Sequence, residues 1–167
     1  MSSSFQINSN ISTSLKELPH NIEAERSVLG GLMLDNETWD LISSQVQEGD
    51  FYRPEHRTIY RAISELSSKQ MPFDVVTLAD ALRDHQELDQ AGGLAYLSEL
   101  AKNTPSASNI QAYAKIVEDK ALMRSLLSAS TEIANTVYFP EGQSSDQILD
   151  IAETKVFAIA ENKIRAS

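Results

Sequence analysis

Residues 107–138 read ASNIQAYAKIVEDKALMRSLLSASTEIANTVY, followed by Phe139-Pro140-Glu141-Gly142. The long stretch contains neither proline nor glycine, the two residues that most readily interrupt a helix. Read as one helix from about Ala107 to Tyr138 it would extend about 48 Å at ~1.5 Å per residue. Phe139–Gly142 then forms a tight turn, and Ser145 or Asp146 caps a second long helix reaching about Ala160 or beyond. The pair makes an antiparallel helical hairpin. Its apolar faces are wider than a simple pair requires. In the first helix Leu122, Leu126, Ala129, Ile133 and Val137 form one stripe, which Met123, Leu127 and Ala134 broaden. In the second, Leu149, Ala152, Val156 and Ala160 form a stripe, widened by Ile148, Ile151, Phe157, Ile159 and Ile164. Each helix can bury one stripe on its mate. The surplus must be covered by the rest of the chain or by another molecule, because large apolar patches are uncommon on monomers, and a subunit interface is the preferred reading.

Upstream of the hairpin the pattern is also helical. Asn21 is a fitting N-cap for a helix with Ile22, Leu29, Leu32 and Met33 on one face. Two glycines, Gly30 and Gly31, fall inside it and are expected to let another backbone come close. Asn36 is expected to cap a second helix carrying Trp39, Ile42 and Val46 and ending at Gly49. Pro54 suits the first turn of a third, whose His56, Ile59, Tyr60, Ile63 and Leu66 recur at helical spacing. Met71-Pro72 stops it. Phe73–Val76 reads as a short extended piece, and Thr77, with Asp80 three residues on, opens the next helix. Gly92-Gly93 precedes a helix from Leu94 to Ala101, and residues 102–106 form a turn. No stretch alternates with period two beyond four residues, so the chain is expected to be all-α: a multi-helix globular head followed by the hairpin. Residues 1–18, rich in serine and asparagine, read as a flexible tail, residues 19–103 as the head, 104–163 as the hairpin, and 164–167 as the start of a linker.

Composition narrows the function. The chain of 167 residues has no cysteine and a formal net charge of −10, which excludes disulfide scaffolds, cysteine-based zinc sites and cysteine nucleophiles. The acidity is concentrated: residues 20–103 hold 15 acids and 7 bases, residues 104–167 hold 8 and 6. Phosphate backbones would be repelled by such a head. No apolar run approaches the ~20 residues that span a bilayer, and the N-terminus lacks the pattern of a signal peptide. The absence of cysteine fits a cytoplasmic protein. His20, His56 and His85 have no histidine or cysteine at ligand spacing, and each is read as a surface or core-edge residue. The glycines form neither a phosphate-binding loop nor a nucleophile elbow. Asp80, Asp84, Glu87 and Asp89 are read as a solvated face. Asp50-Phe51-Tyr52-Arg53-Pro54 is read as a packed loop rather than a nucleic-acid stacking platform. The residues alone describe an all-α interaction module with no catalytic, cofactor-binding or metal-binding residue.

Several ordered blocks point further. Pro19-His20-Asn21-Ile22-Glu23-Ala24-Glu25-Arg26-Ser27-Val28-Leu29-Gly30-Gly31-Leu32-Met33-Leu34-Asp35 resembles the start of the ordered region in bacterial replicative DNA helicases of the DnaB family. Asp50-Phe51-Tyr52 with Pro54 and His56, Thr77-Leu78-Ala79, Gly92-Gly93-Leu94-Ala95-Tyr96-Leu97, Lys102–Ala107 with Asn109-Ile110 and Ala112-Tyr113, and Ala152-Glu153 with Val156-Phe157 and Ile159-Ala160-Glu161 are similar to its later segments. The likeness covers about residues 19–163. It implies a helicase N-terminal domain whose hairpins pair between subunits, as a trimer of dimers on a hexamer that unwinds DNA 5′ to 3′. It also implies docking of the primase C-terminal domain. ATP and Mg2+ would serve an ATPase domain outside this stretch, and the domain itself would take no cofactor and do no hydrolysis. Leu122, Leu126, Leu127, Ile133, Leu149, Val156 and Phe157 are the expected hairpin-packing or dimer residues, each with hairpin core as the alternative. Val137, Tyr138, Phe139 and Ile148, near the turn, are the expected partner contacts. A free-standing helical adaptor and an acidic enzyme using a carboxylate-bound metal are the competing readings.

Overall fold

Asn21 caps the first helix as its side chain suggests: Oδ1 accepts the Ala24 N–H at 3.0 Å, and α1 runs Ile22–Leu34. A computed structural model describes residues 17–166, so the tail expected over residues 1–18 lies almost wholly outside the described residues. After α1 come α2 (Trp39–Ser43), α3 (Pro54–Ser68), α4 (Val75–Asp84), α5 (Gly93–Asn103), α6 (Ile110–Tyr138) and α7 (Ser145–Ala166). No strand occurs among the described residues. The fold is all-α, with α1–α5 as the head and α6–α7 as the hairpin.

Local chemistry moves several boundaries. The expected helix from Asn36 to Gly49 is broken into a 3-10 turn at Asn36–Thr38, the single α-helical turn α2, and a second 3-10 turn at Glu48–Asp50. Asn36 is drawn away from capping: its side-chain amide donates to the carbonyls of Leu32 and Phe73 at 2.9 and 2.8 Å and accepts the Phe73 N–H at 3.0 Å. Residues 73–76 are not one extended piece, because α4 begins at Val75. Asp74, not Thr77, is its cap; the Asp74 carboxylate accepts the Thr77 N–H at 2.9 Å while the Thr77 hydroxyl accepts the Asp74 N–H at 2.8 Å. The same reciprocity makes Ser144, rather than Ser145 or Asp146, the cap of α7: its hydroxyl accepts the Gln147 N–H while the Gln147 side chain accepts the Ser144 N–H. Such paired caps satisfy donors that the first helical turn leaves unpaired. The first hairpin helix begins at Ile110, three residues later than Ala107.

The core lies where α1 crosses α3, α5 and the base of α6. Val28, Leu29 and Leu32 of α1 are sealed with Phe51, Ile59, Ile63, Leu78, Leu82 and Leu97. Ile110, Ala114 and Val117 bring the first turns of α6 into the same core. The glycine pair makes that approach possible. A Cβ at Gly30 would lie 2.0 Å from the Thr104 hydroxyl oxygen and 2.5 Å from the Leu100 carbonyl, and one at Gly31 would meet Ile110 Cδ1 at 2.9 Å. The expected close approach is therefore that of α5 and α6 onto α1.

Candidate interaction surface

Beyond Arg124, the last residue of α6 to bond the head, the hairpin must make its own seam. On α6 the residues turned to α7 are Ala129, which is buried, and Leu122, Ile133 and Thr136, which are half-buried. On α7 they are Ile148, Ile151, Ala152, Lys155 and Ile159, all half-buried. Lys155 closes the seam with an ion pair to Glu132.

The remaining apolar residues are not scattered. With about 100° of rotation per residue, Met123, Leu126, Ala134 and Val137 fall on one flank of α6, displaced to one side of its seam and away from Ala114, Val117 and Ala121. Leu149, Val156, Phe157, Ala160 and Ile164 fall on one flank of α7. In an antiparallel pair these two displacements point to the same side. The hairpin thus has one largely apolar flank facing away from the head, interrupted by the exposed Ser130 and Glu153, while Ser128, Thr131, Asn135, Asp150, Thr154 and Glu161 occupy the other side, all exposed. Leu126 is 40% exposed, Leu149 56%, Val156 50% and Phe157 67%.

Among the seven residues expected for hairpin packing or dimerisation, the structure therefore separates two groups. Leu122 and Ile133 line the seam, and Leu126, Leu149, Val156 and Phe157 lie on the open flank. Leu127 is half-buried, on the far side of the flank from the seam. Of the residues near the turn, Val137, Tyr138 and Phe139 project into solvent, whereas Ile148 sits half-buried on the seam side.

The flank is held in place by a polar junction that sequence reading missed. Arg124 of α6 donates to the carbonyls of Pro19 at 2.7 Å and Asp50 at 2.6 Å, and its guanidinium lies 5.6 Å from the centre of the Tyr52 ring. His20 stacks on the other side of this region, its ring 4.1 Å from that of Tyr52. Arg57 holds the next two carbonyls, donating to Phe51 at 3.0 Å and Tyr52 at 2.8 Å. Glu25 takes the N–H groups of Tyr52 at 2.9 Å and Arg53 at 3.4 Å. The loop expected to be packed is packed, and two arginines and a carboxylate satisfy its backbone.

Glu25 also anchors a buried relay. His56 Nδ1 lies 2.8 Å from the Glu25 carboxylate and its Nε2 lies 2.6 Å from the Tyr96 hydroxyl. The carboxylate can only accept, so Nδ1 carries a proton, and in the neutral ring the Tyr96 hydroxyl donates to Nε2. His56 and Glu25 are at most 1% exposed. His56 is therefore neither a surface nor a core-edge residue. Its carboxylate partner lies 31 positions away, outside any local spacing rule. Burial alone would raise the Glu25 carboxyl; the hydrogen bonds from His56, Tyr52 and Arg53 outweigh it and hold the group below the usual carboxylate range. Such a sealed relay pins α1, α3 and α5 together and leaves no room for a substrate. Among the described residues, no group of three or more histidine, cysteine, aspartate or glutamate side chains is placed to hold a metal. None of their helices is long and apolar enough to cross a membrane.

The structure is that of an all-α head that projects a hairpin with one exposed apolar flank. Residues 17–119 match the model of the DnaB-like helicase N terminal domain, and the chain belongs to that family. It is 49% identical over 149 residues to the replicative DNA helicase DnaB of Haemophilus influenzae, covering 89% of this chain and 32% of that protein. It is 39% identical over 145 residues to the replicative DNA helicase DnaC of Bacillus subtilis, covering 87% and 32%. The chain thus spans about a third of the length of these relatives. Among solved structures, the N-terminal domain of DnaB helicase from Mycobacterium tuberculosis superposes with a TM-score of 0.81 at 36% identity, over 85% of this chain and 99% of that one. A DnaB-like replicative helicase, described together with its interactions with primase, shares the fold with a TM-score of 0.69 at 23% identity, over 84% of this chain and 31% of that one.

Proposed function

We propose that this chain is the assembly and partner-docking domain of a replicative DNA helicase. It pairs with a second copy through the open flank of the hairpin, as the first step towards a trimer of dimers in a hexamer, and offers the same assembled surface to the C-terminal domain of primase. The whole protein is a cytoplasmic, ATP- and Mg2+-dependent enzyme that unwinds DNA 5′ to 3′; this domain does no hydrolysis and leaves DNA to the full ring. Family membership supports the helicase context, and the one-sided apolar flank carries the assembly role.

The magnitude favours a concentration-dependent dimer. Full burial of a large aliphatic or aromatic side chain is worth about 1.5–3 kcal/mol. Leu126, Val137, Leu149, Val156 and Phe157 are roughly half-exposed or more, so two copies of this set gain on the order of 10 kcal/mol. Association costs about 4–15 kcal/mol in lost freedom. The balance is a modest affinity for the isolated domain, which an ATPase ring would reinforce by raising effective concentration.

Size-exclusion chromatography with light scattering, with and without a primase C-terminal domain, tests both parts. A dimer that gains mass with primase is the expected result. A monomer at high micromolar concentration that ignores primase would sink the proposal.

A further inference from the structure

The chain joins the head at a fixed point beside α6. The Pro19 carbonyl accepts Arg124 at 2.7 Å, His20 Nδ1 lies 2.6 Å from the Leu18 carbonyl, and the His20 ring stacks on Tyr52. Residues 1–16 therefore start from the side of α6 that carries Arg124, with Leu18 44% exposed at the exit.

The surface next to that exit is apolar. At about 100° per residue, Met123, Leu127, Ala134 and Tyr138 fall within a strip about 60° wide on the outer face of α6, between Arg124 and the line of Leu126 and Val137. The strip points away from the seam with α7 and from the buried Ala114, Val117 and Ala121. Met123 and Tyr138 are 53% and 77% exposed, Ala134 is exposed and Leu127 half-buried.

The segment that starts there has a matching pattern. Ile7, Ile11 and Leu15 recur every fourth residue, the spacing of one helix face. Lys16 is the only charged side chain in residues 1–16, so the acidity of the chain, net charge −10, does not repel the segment. As a helix, residues 5–16 would extend about 18 Å at ~1.5 Å per residue, the distance along α6 from Arg124 to its last turn. Serine and asparagine compete with helical hydrogen bonding, so the segment needs an apolar surface on which to order.

We propose that residues 5–16 fold back along the outer face of α6, with Ile7, Ile11 and Leu15 laid over Met123, Leu127, Ala134 and Tyr138. The chain's own N-terminal segment then covers the outer edge of the hairpin and leaves Leu126, Leu149, Val156 and Phe157 to the second copy. The strip and the dimerising residues are separate, so the two readings stand or fall independently.

The test is paramagnetic broadening in the full chain. With no cysteine in the sequence, Ser9→Cys accepts a single nitroxide label. Loss of amide signals in the isotope-labelled chain is expected along the outer face of α6, strongest near Ala134, and it should be reversed by adding Ile11→Asp and Leu15→Asp. Both substitutions lie outside the core of the head, so an unchanged melting temperature checks that the fold is intact. Signal loss that fades evenly with distance from Arg124 and ignores Ile11→Asp and Leu15→Asp would overturn the proposal, leaving a tethered segment without a seat. A mixture of nitroxide-labelled chain and isotope-labelled chain without nitroxide supplies the second arm. Equal signal loss in that mixture would also overturn it, placing the segment on a neighbouring copy. None of these outcomes bears on the mass of the wild-type chain, which tests the dimer.

Discussion

The head and the hairpin are built from the same helical grammar but close their surfaces differently. In the head, the apolar residues of α1 meet those of α3, α4, α5 and the base of α6, and Phe51, Ile42, Ile59, Ile63 and Leu97 are all but inaccessible to water. In the hairpin beyond Ala121, Ala129 is the one fully buried residue among those described, and Phe157 and Val137 remain more than half-exposed. Two helices have one shared seam, whereas each carries apolar side chains around more than a seam's width. The difference teaches that the head is a finished core, whereas the distal hairpin keeps an apolar side open to solvent.

Substitutions sharpen this contrast when they are ranked by effect. The largest belongs to the head: Phe51→Ala is expected to cost about 3–5 kcal/mol by leaving a cavity among α1 and α3, read as a lower denaturation midpoint at unchanged slope. Next comes the buried relay. His56→Ala strands the Glu25 carboxylate away from water and is expected to cost about 3 kcal/mol. The same relay gives the head an acid limb. Glu25 is depressed in the folded chain, so its contribution is complete above the unfolded carboxyl value of about 4.3 and is lost as pH falls through the lower folded value. Glu25→Gln should lower stability at neutral pH and flatten that acid limb, measured as melting temperature against pH. A melting curve whose acid dependence survives the substitution would remove Glu25 from this role.

Arg124→Ala is smaller, about 2 kcal/mol for two charge-assisted hydrogen bonds to carbonyls. Because Arg124 ties α6 to Pro19 and the Asp50–Tyr52 loop, the loss should appear as faster hydrogen exchange in that loop before global unfolding. Smallest of all for the monomer is the flank. Val156→Asp and Phe157→Asp replace side chains that are half-exposed or more in the monomer, so its folding stability should move by no more than about 1 kcal/mol, while association is lost.

Much of this was legible in advance because helices announce themselves locally. Asn21 as a cap, the proline- and glycine-free run to Tyr138, and the extra apolar width of the hairpin are all properties of neighbouring residues. What escaped reading depends on long-range pairing. Asn36 looks like a cap, yet its amide is captured by Phe73, 37 positions away. His56 gives no local sign of its bond to Glu25, and Arg124 reaches a carbonyl 105 positions earlier. The flank needed both kinds of information. The surplus apolar residues were visible in sequence, but only the burial of Ile110, Ala114 and Val117 against the head shows that the surplus on α6 points the other way.

The central claim is that the distal hairpin is completed by a second copy, and mass against concentration measures it most directly. Light scattering on the wild-type chain and on Val156→Asp, at matched melting temperatures, is expected to give a dimer that dissociates on dilution and a variant that stays monomeric throughout. A wild-type chain that remains monomeric into the high micromolar range, or a variant that dimerises as tightly as the parent, would contradict it.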